Sequence, residues 1–272
     1  MNKIKELSVK EEQEIQLKIL RIFDHMCKSE DICYMLAYGT LLGAVREHGF
    51  IEWDDDVDIW VRRSEFKKIQ RSFEIYFDKS KYFLQWSDTD PNNFSPEMLR
   101  ICVNGTYKWP EGCEDEKFHT GIYFDIFPLD FGFGDKRDQR YLNAMTKYHT
   151  LLRNHLGCSK NCKGILRTIF HSLQRIVYPF DSCKRKILEI SEIYEKNTKC
   201  ETTITLPSSF AGLGRSLFRS EWFSEIVYMK FEDMTLPCPK KYKDLLAYMY
   251  GDDYMVPSKT KPYITKSYLV DN

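Results

Sequence analysis

The stretch YGTLLGAVR, residues 38–46, followed by WDDDVDI, residues 53–59, decides the fold expected for this chain. It predicts a small-residue turn that opens a helix and then a short strand that carries clustered carboxylates. Asp54, Asp56 and Asp58 alternate with other residues, and a period of two places them on one face of an extended chain. Crowded carboxylates raise one another's pKa, so such a cluster usually needs a cation to stay ionised.

The helix that precedes the acids supplies a second part of the predicted site. Thr40 is predicted to be the N-cap of a helix that runs to about His48, with free N–H groups at its start for a phosphate. Gly39 allows the backbone to approach that phosphate closely, whereas Gly43 allows close packing of the helix. Mg²⁺ prefers oxygen ligands and often shares them with substrate phosphates, so the pattern indicates phosphoryl transfer.

Two arginines are candidates for contact with the substrate. Arg46, near the end of the short helix, is either a clamp for phosphate or carboxylate groups or a partner of Glu47 or Glu52 in a surface ion pair. Arg100 lies in a β-rich apolar segment, from which it either reaches a phosphate or serves as an edge-strand charge.

Two less specific interpretations of the acids were weighed. An EF-hand calcium loop that starts at Asp54 would place Glu65 twelfth, but its sixth residue is Ile59 where that loop needs glycine. A solvated acidic loop is the commoner fate of aspartate runs, but it would not normally continue into the apolar residues 57–61. A strand with a metal-binding face therefore remains the preferred interpretation.

These residues resemble a known family. The run at 38–46, then Gly49-Phe50-Ile51, then residues 53–58 closely resemble the LicD/fukutin-type transferases of the nucleotidyltransferase-fold superfamily. The resemblance extends to Phe231-Glu232 and to residues 250–254, but it skips the middle of the chain. It implies metal-dependent transfer of phosphocholine, or a similar phospho-alcohol, from a CDP-linked donor to a glycan. The tail at 259–272 lacks the histidine expected in many relatives.

A third carboxylate is expected on a separate strand. Residues 120–130 are strongly apolar, and a carboxylate there is costly without a counter-charge or metal. The family's third metal-binding acid matches Asp125, the candidate that draws the proton from the acceptor hydroxyl. The alternative is a buried acid satisfied by backbone donors. Asp130 is predicted to lie in a turn or at a helix start.

The expected fold class is α+β, with a nucleotidyltransferase-like mixed sheet flanked by helices. Residues 1–135 are predicted to form the catalytic core, residues 136–200 a helical insert, and residues 201–272 the part that completes the core. The insert includes an amphipathic helix at 164–178, which either packs internally or rests on a membrane surface. Further predicted elements are helices at 9–29, 64–77, 138–156, 183–197 and 240–250 and strands at 33–37, 56–61, 82–86 and 97–103.

Composition limits the partners and the location. The 272 residues contain 40 Lys plus Arg and 40 Asp plus Glu, so no positive field favours nucleic acid. The first ten residues lack the apolar core of a signal peptide, and no run of about 18 apolar residues exists. The expected location is the cytoplasm, with the inner face of the membrane as the place of any peripheral contact.

The nine cysteines show no zinc spacing and are expected to be free thiols, with Cys27, Cys33 and Cys102 in the core. A zinc site at Cys113 and His119 is a minor alternative.

The predicted function is therefore a phosphotransferase that uses Mg²⁺, or Mn²⁺, held by Asp56, Asp58 and Asp125. Gly39, Thr40, Arg46 and Arg100 are the predicted substrate-binding residues. The CDP-linked donor and a glycan or glycolipid acceptor are the expected partners. Two alternatives remain open: a nucleotidyltransferase that makes a nucleotide-linked product from a nucleoside triphosphate, and a non-catalytic module that binds glycan or nucleotide.

Overall fold

The computed structural model describes residues 4–93, 95–109, 118–156, 172–198, 201–205, 216–257 and 265–270. In chain order its helices and strands are β1 (Ile4–Glu6), α1 (Val9–Ser29), β2 (Tyr34–Leu36), α2 (Tyr38–Arg46), β3 (Asp58–Arg62), α3 (Phe66–Tyr76), β4 (Tyr82–Gln85), β5 (Leu99–Val103), β6 (Thr106–Trp109), β7 (Tyr123–Gly132), α4 (Lys136–Leu156), α5 (Phe180–Glu195), β8 (Thr202–Ile204), β9 (Leu217–Arg219), β10 (Ile226–Phe231), β11 (Met234–Pro239), α6 (Tyr242–Tyr250) and β12 (Lys266–Val270). The predicted α+β class is confirmed.

The main sheet places the strands that carry the predicted acids side by side. Its strand order is β2-β3-β7-β5-β4, in which β3 and β7 are parallel and the other pairs are antiparallel. Short strands β8 and β9 continue the sheet beyond the second half of β7. Because β3 and β7 are both inner strands, each needs a covering layer on its two faces.

The two faces of this sheet differ in character. Helix α1 covers the first face, where the Phe23 ring lies 5.1 Å from that of Phe124 between centroids. Strand alternation turns the side chains of Asp58 and Asp125 to the second face. The fully buried Trp60, two residues after Asp58, lies on this second face as well. The acids and a group of large aromatic residues therefore share one surface of the sheet.

Helix α1 has the bounds that its periodicity predicts. Ser8 is its N-cap and forms a capping box with Glu11, which fixes the helix start. In its apolar stripe Ile19, Phe23 and Met26 are fully buried, and Ile22 is partly buried. The other predicted helices and strands are present with ends that differ by a few residues, and α6 ends as predicted at Tyr250, before Gly251 with a φ of +94°.

Two smaller sheets connect distant parts of the chain. In the three-stranded sheet β1-β12-β6, strand β12 near the end of the chain lies between β1 and β6 and pairs with both. In the hairpin of β10 and β11, Glu232 has a φ of +53° and its N–H donates to the carbonyl of His48 at 2.8 Å. The Glu232 carboxylate accepts from the N–H of Phe50 at 3.0 Å. The stretch at 231–232, which carries part of the family resemblance, thus contacts the stretch at 48–50.

Two local predictions are wrong. Helix α3 does not begin at residue 64, because a 3₁₀ turn at Arg63–Glu65 precedes it and it begins at Phe66 without a side-chain cap. Asp130 lies neither in a turn nor at a helix start, because β7 continues to Gly132 to pair with β8. Its buried carboxylate accepts from Arg63 Nε at 2.8 Å and Nη2 at 2.7 Å.

The helices after the main sheet pack on each other. Tyr141 of α4 and Tyr194 of α5 have ring centroids 4.1 Å apart.

The predicted helix at 164–178 lies mostly outside the described residues. Residues 172–177 are helical, and Leu173, Ile176 and Val177 are 56–74% exposed. No helix among the described residues is long and apolar enough to cross a membrane. The division of the chain at 135 and 200 stays a prediction.

The described cysteines are free thiols, as predicted. Cys27 and Cys102 are buried, but the prediction for Cys33 is wrong, because it precedes β2 at the end of an exposed turn. Cys113 lies outside the described residues. The His119 ring stacks on Phe83 with 4.8 Å between centroids and contacts the side-chain oxygen of Asn104 at 3.0 Å.

Candidate active site

Three predicted site residues lie in a row across adjacent strands of the main sheet. Asp58 of β3 and Asp125 of β7 are register partners, and the N–H of Asp125 donates to the carbonyl of Val57 at 2.9 Å. Arg100 of β5 is the register partner of Asp125 on its other side. Register partners point to the same face of a sheet, so the structure brings these residues together across 67 positions of sequence.

Asp125 and Arg100 form a bidentate ion pair. Arg100 Nε donates to Oδ1 at 2.5 Å and Nη2 donates to Oδ2 at 2.9 Å. Burial opposes the charge of Arg100, but Asp125 still raises its pKa above the ordinary value. Asp125 is therefore satisfied by a side chain rather than by backbone donors. The edge-strand alternative for Arg100 is wrong because β5 lies between β7 and β4. An ionised carboxylate has about four lone-pair sites, so Asp125 keeps acceptor capacity.

The residues 54–57, here called the acid loop, precede β3 rather than form its start. The predicted strand start at Asp56 is wrong, because β3 begins at Asp58. Helix α1 holds the loop backbone instead: Gln13 Nε2 donates to the Asp54 carbonyl at 2.9 Å and Gln16 Nε2 donates to the Asp55 carbonyl at 2.6 Å. These carbonyls are therefore bound to side chains of α1. Helix α1, to which the sequence assigned no chemistry, positions the acids.

The acids that face the site carry uncompensated charge. Within the described part of the chain, the carboxylates of Asp54, Asp56 and Asp58 form no ion pair. Burial, together with Asp55 and Asp125, raises the pKa of Asp56 to about 6 although Lys108 opposes the shift. Burial and the neighbouring aspartates raise the pKa of Asp54 and Asp58 well above the usual value. Hard oxygen donors with excess negative charge are the chemistry that Mg²⁺ requires.

The described side chains do not by themselves form a complete metal-binding site. No group of three or more histidine, cysteine, aspartate or glutamate side chains among the described residues meets the geometry of a metal site. The fit to Mg²⁺ therefore rests on the donor chemistry and on the raised pKa of Asp56 and Asp58. Because Mg²⁺ usually takes only one or two carboxylates and completes its shell with water and phosphate, this arrangement is compatible with it.

Thr40 acts on the acids rather than on the start of α2. The N-cap prediction is wrong, because α2 begins at Tyr38, its N-cap is Ala37, and no side chain caps it. The Thr40 hydroxyl instead accepts a hydrogen bond from the N–H of Asp58 at 2.9 Å. Thr40 thus fixes the backbone of the first residue of β3, and its contact with substrate stays a prediction.

The two glycines of the motif serve different contacts. A Cβ on Gly39 would lie 2.7 Å from Asp54 Oδ2, so this glycine makes room for a carboxylate of the acid loop. A Cβ on Gly43 would lie 2.4 Å from the carbonyl oxygen of Gly49, which agrees with the predicted role in close packing. Approach of a phosphate to Gly39 stays a prediction.

Arg46 lies near the end of α2, as predicted, and has protein partners. Its Nε contacts Glu47 Oε1 at 2.7 Å, and its Nη1 donates to the Tyr254 carbonyl at 3.2 Å. The ion pair with Glu47, one of the two alternatives, is therefore present, and it joins an Arg46 side chain that is 8% exposed to an exposed Glu47. Arg46 also opposes the rise in the pKa of Asp54, which places its charge near the acid loop.

Sequence reasoning missed a lysine beneath the acid loop. Lys108 of β6 is fully buried, with Nζ 2.7 Å from Glu12 Oε1 and 3.5 Å from Asp55 Oδ1. Nζ also donates to the Asp55 carbonyl and lies 4.7 Å from the centre of the Tyr123 ring. The strand alternation of residues 106–109 places Lys108 on the face of Thr106. This alternation is only a weak signal, and it does not predict which residues contact Lys108.

A cavity of about 600 Å³ is lined by residues from the part of the chain between 201 and 248. Its lining combines rings with charged groups, and none of the predicted site residues belongs to it. The Trp60 ring, on the face of Asp58, lies 6.0 Å from Phe218 of the cavity wall. Members of the wall include Phe218, Arg219, Glu221, Trp222, Asp244 and Tyr248.

Comparisons with known proteins agree with the expected resemblance. Residues 31–151 match the family model described as LicD/FKTN/FKRP, nucleotidyltransferase domain. The chain is also 25% identical, over 278 aligned residues, to the protein named lipopolysaccharide cholinephosphotransferase LicD of Haemophilus influenzae. That alignment covers 98% of this chain and 100% of the relative. The resemblance to the LicD-type family is thereby confirmed, and the matched segment contains every predicted site residue.

Proposed function

We propose that this protein is a phosphotransferase that moves phosphocholine, or a similar phospho-alcohol, from a CDP-linked donor to a hydroxyl of a lipopolysaccharide glycan, with release of CMP. The name of the Haemophilus relative supports the phosphotransferase class and phosphocholine transfer to lipopolysaccharide. The CDP-linked donor and the metal are our extension. The observation that carries the proposal is the row of Asp58, Asp125 and Arg100 beside the unpaired acids of the acid loop.

The metal would be held by side chains of the second face of the sheet. Asp56, Asp58 and Asp125 would bind Mg²⁺ or Mn²⁺, which, when bound, offsets the charge of the donor diphosphate and polarises its phosphorus–oxygen bonds. Thr40 keeps Asp58 in place through the N–H of that residue. Arg100 fixes the orientation of the Asp125 carboxylate through two hydrogen bonds.

The chain's own groups account for the proton and for the charge of the leaving group. The acceptor hydroxyl oxygen attacks the phosphorus that bears the alcohol, and the phosphorus–oxygen bond to CMP breaks with its electron pair on CMP. Asp125, on a strand apart from the acid loop, takes the hydroxyl proton. Arg46 and the backbone N–H groups near Gly39 would offset charge on the diphosphate, so positioning and electrostatics would provide most of the rate enhancement.

The test is a release assay with purified protein and Mg²⁺. CDP-choline, CDP-ribitol, CDP-glycerol and CTP are supplied separately with lipopolysaccharide, and CMP and pyrophosphate are measured. CMP from one CDP donor, with transfer of its alcohol phosphate to the glycan, supports the proposal. Asp58→Asn should eliminate the release, whereas Asp233→Asn, a change at an exposed acid that pairs with Arg21, should leave it unchanged.

The same assay separates the alternatives. Pyrophosphate from CTP would favour the nucleotidyltransferase that makes a nucleotide-linked product. Binding of the donors without release of CMP under any metal condition would favour the non-catalytic module.

We also propose that the enzyme meets its acceptor at the inner face of the membrane. The exposed apolar side chains of Leu173, Ile176 and Val177 support this part of the proposal. Co-sedimentation with anionic vesicles should fall when Ile176 and Val177 are replaced by Ser. Equal co-sedimentation of the variant and the natural chain would contradict membrane contact at this surface.

A further inference from the structure

Lys108 is a fully buried cation that joins three distant parts of the chain. Its strand β6 lies in the small sheet, and its Nζ contacts Glu12 of α1 at 2.7 Å and Asp55 of the acid loop at 3.5 Å. Ser267 of β12 donates to Glu12 Oε2 at 2.8 Å, so the C-terminal strand also contacts this network. None of these groups takes part in the reaction as proposed above.

The network holds Asp55 from two directions. Thr265 donates its N–H to Asp55 Oδ2 at 2.9 Å, while Lys108 attracts Oδ1 and binds the Asp55 carbonyl. The carboxylate of Asp55 therefore points into the protein, although it lies between Asp54 and Asp56, whose carboxylates have no ion-pair partner among the described residues. The Asp54 carboxylate instead lies beside α2, where its Oδ2 would be 2.7 Å from a Cβ on Gly39.

We propose that Lys108 is a positioning residue that fixes the acid loop, through Asp55 and Glu12, in the conformation in which Asp54 and Asp56 face the candidate metal site. This inference rests on the proposed function for the identity of the ligand, but the effect on the loop can be measured without any ligand. A buried ion pair is weak evidence for stability, because the desolvation of both ions offsets their attraction. Buried ionic groups specify one conformation in some proteins, and this is the role that we assign to Lys108.

The experiment compares removal of this ion pair with removal of another buried one. Lys108→Met combined with Glu12→Gln takes away both charges of this pair, and the Asp55 carboxylate keeps its hydrogen bond from the Thr265 N–H. Arg63→Met combined with Asp130→Asn does the same to a buried pair outside the site and serves as the matched control. Asp55→Asn is a milder variant, because the Asp55 side chain is 15% exposed and Lys108 keeps its ion pair with Glu12.

Hydrogen–deuterium exchange of the full chain is the primary readout. The N–H of Asp54 donates to the Ile51 carbonyl at 2.9 Å and that of Asp58 donates to Thr40 Oγ1 at 2.9 Å, so both report on the acid loop. We expect at least about tenfold faster exchange there in the Lys108/Glu12 variant and in Asp55→Asn. The first variant loses the contacts of Lys108 with Asp55, and the second weakens the contacts of the Asp55 carboxylate with Lys108 and Thr265. The Arg63/Asp130 control should leave this exchange unchanged.

Mn²⁺ binding, followed by electron paramagnetic resonance without substrate, is the second readout. The dissociation constant should rise at least about tenfold in the Lys108/Glu12 variant and stay unchanged in the control. Unchanged exchange at Asp54 and Asp58 in both test variants would overturn the inference. If Asp58→Asn does not alter Mn²⁺ binding, the metal assignment of the proposed function fails instead, and the exchange data still decide the role of Lys108.

Discussion

Asp58 and Asp125 are register partners on the two parallel strands β3 and β7, and their side chains lie on the face opposite α1. The pairing fixes the separation of the two carboxylates through the sheet, which is more rigid than a loop. Arg100 neutralises Asp125 and Lys108 pairs with Asp55, so the charges of Asp54, Asp56 and Asp58 are left for a bound cation. This division gives Asp58 and Asp125 different tasks.

Removal of one site carboxylate should stop turnover without unfolding the protein. Asp56→Asn and Asp58→Asn should each lower CMP release by at least about 10²–10³-fold, because a preorganised charge at the reacting phosphate is lost. Circular dichroism should show unchanged secondary structure, since both carboxylates lack an ion-pair partner among the described residues. Turnover within twofold of the natural chain in either variant would contradict the assignment.

Loss of Arg100 should reduce stability, because it leaves the charge of its partner buried. Arg100→Met leaves the Asp125 carboxylate buried and unpaired, which should lower the free energy of unfolding by about 3–5 kcal/mol. Arg100→Lys should have a smaller effect, because it keeps the charge but cannot donate two hydrogen bonds in the same fork. Urea denaturation measures both. The combined change Arg100→Met with Asp125→Asn should recover much of the loss.

The acid loop should make stability depend on pH in a defined direction. The pKa of Asp56 is raised to about 6 in the folded chain, while aspartate has an ordinary value of about 3.9. The folded state therefore binds more protons, and this group should lower the stability of the metal-free protein as pH rises from about 4 through 6. Melting temperatures of Asp56→Asn minus the natural chain should grow more positive from pH 4.5 to pH 7.5.

Mg²⁺ should reverse that trend. Its stabilising effect on the natural chain should be larger at pH 7.5 than at pH 5, because the carboxylates must be ionised to bind it. The Asp56→Asn variant serves as the control and should show little difference between the two pH values. A stabilisation by Mg²⁺ that is equal at both pH values would argue against binding at these raised acids.

The two glycines of the motif should respond differently to alanine. Gly43→Ala places a Cβ 2.4 Å from a backbone oxygen, which cannot rotate away, so we expect a loss of about 1–3 kcal/mol in the free energy of unfolding. Gly39→Ala meets the end of the Asp54 side chain at 2.7 Å, which can turn aside. It should affect Mn²⁺ affinity more than stability. Chemical denaturation and metal titration of both variants distinguish the two effects.

Much of the fold could be predicted from local patterns. The bounds of α1 follow from its apolar period and from the capping box of Ser8 and Glu11. The alternation of the acids, the apolar strand around Asp125 and the LicD-type motif indicated which residues to consider. Errors arose where a side chain had a distant partner: Thr40 binds the N–H of Asp58, and Asp130 pairs with Arg63 across 67 positions.

The sequence by itself determined the family resemblance, the α+β class and the identity of the clustered acids, because these depend on neighbouring residues and on short periods. Only the tertiary structure decided which charges meet. Strand order and register place Arg100 opposite Asp125 and bring Lys108 beneath Asp55. A local pattern does not specify register between distant strands, and the energy of a buried charge depends on the partner that register provides.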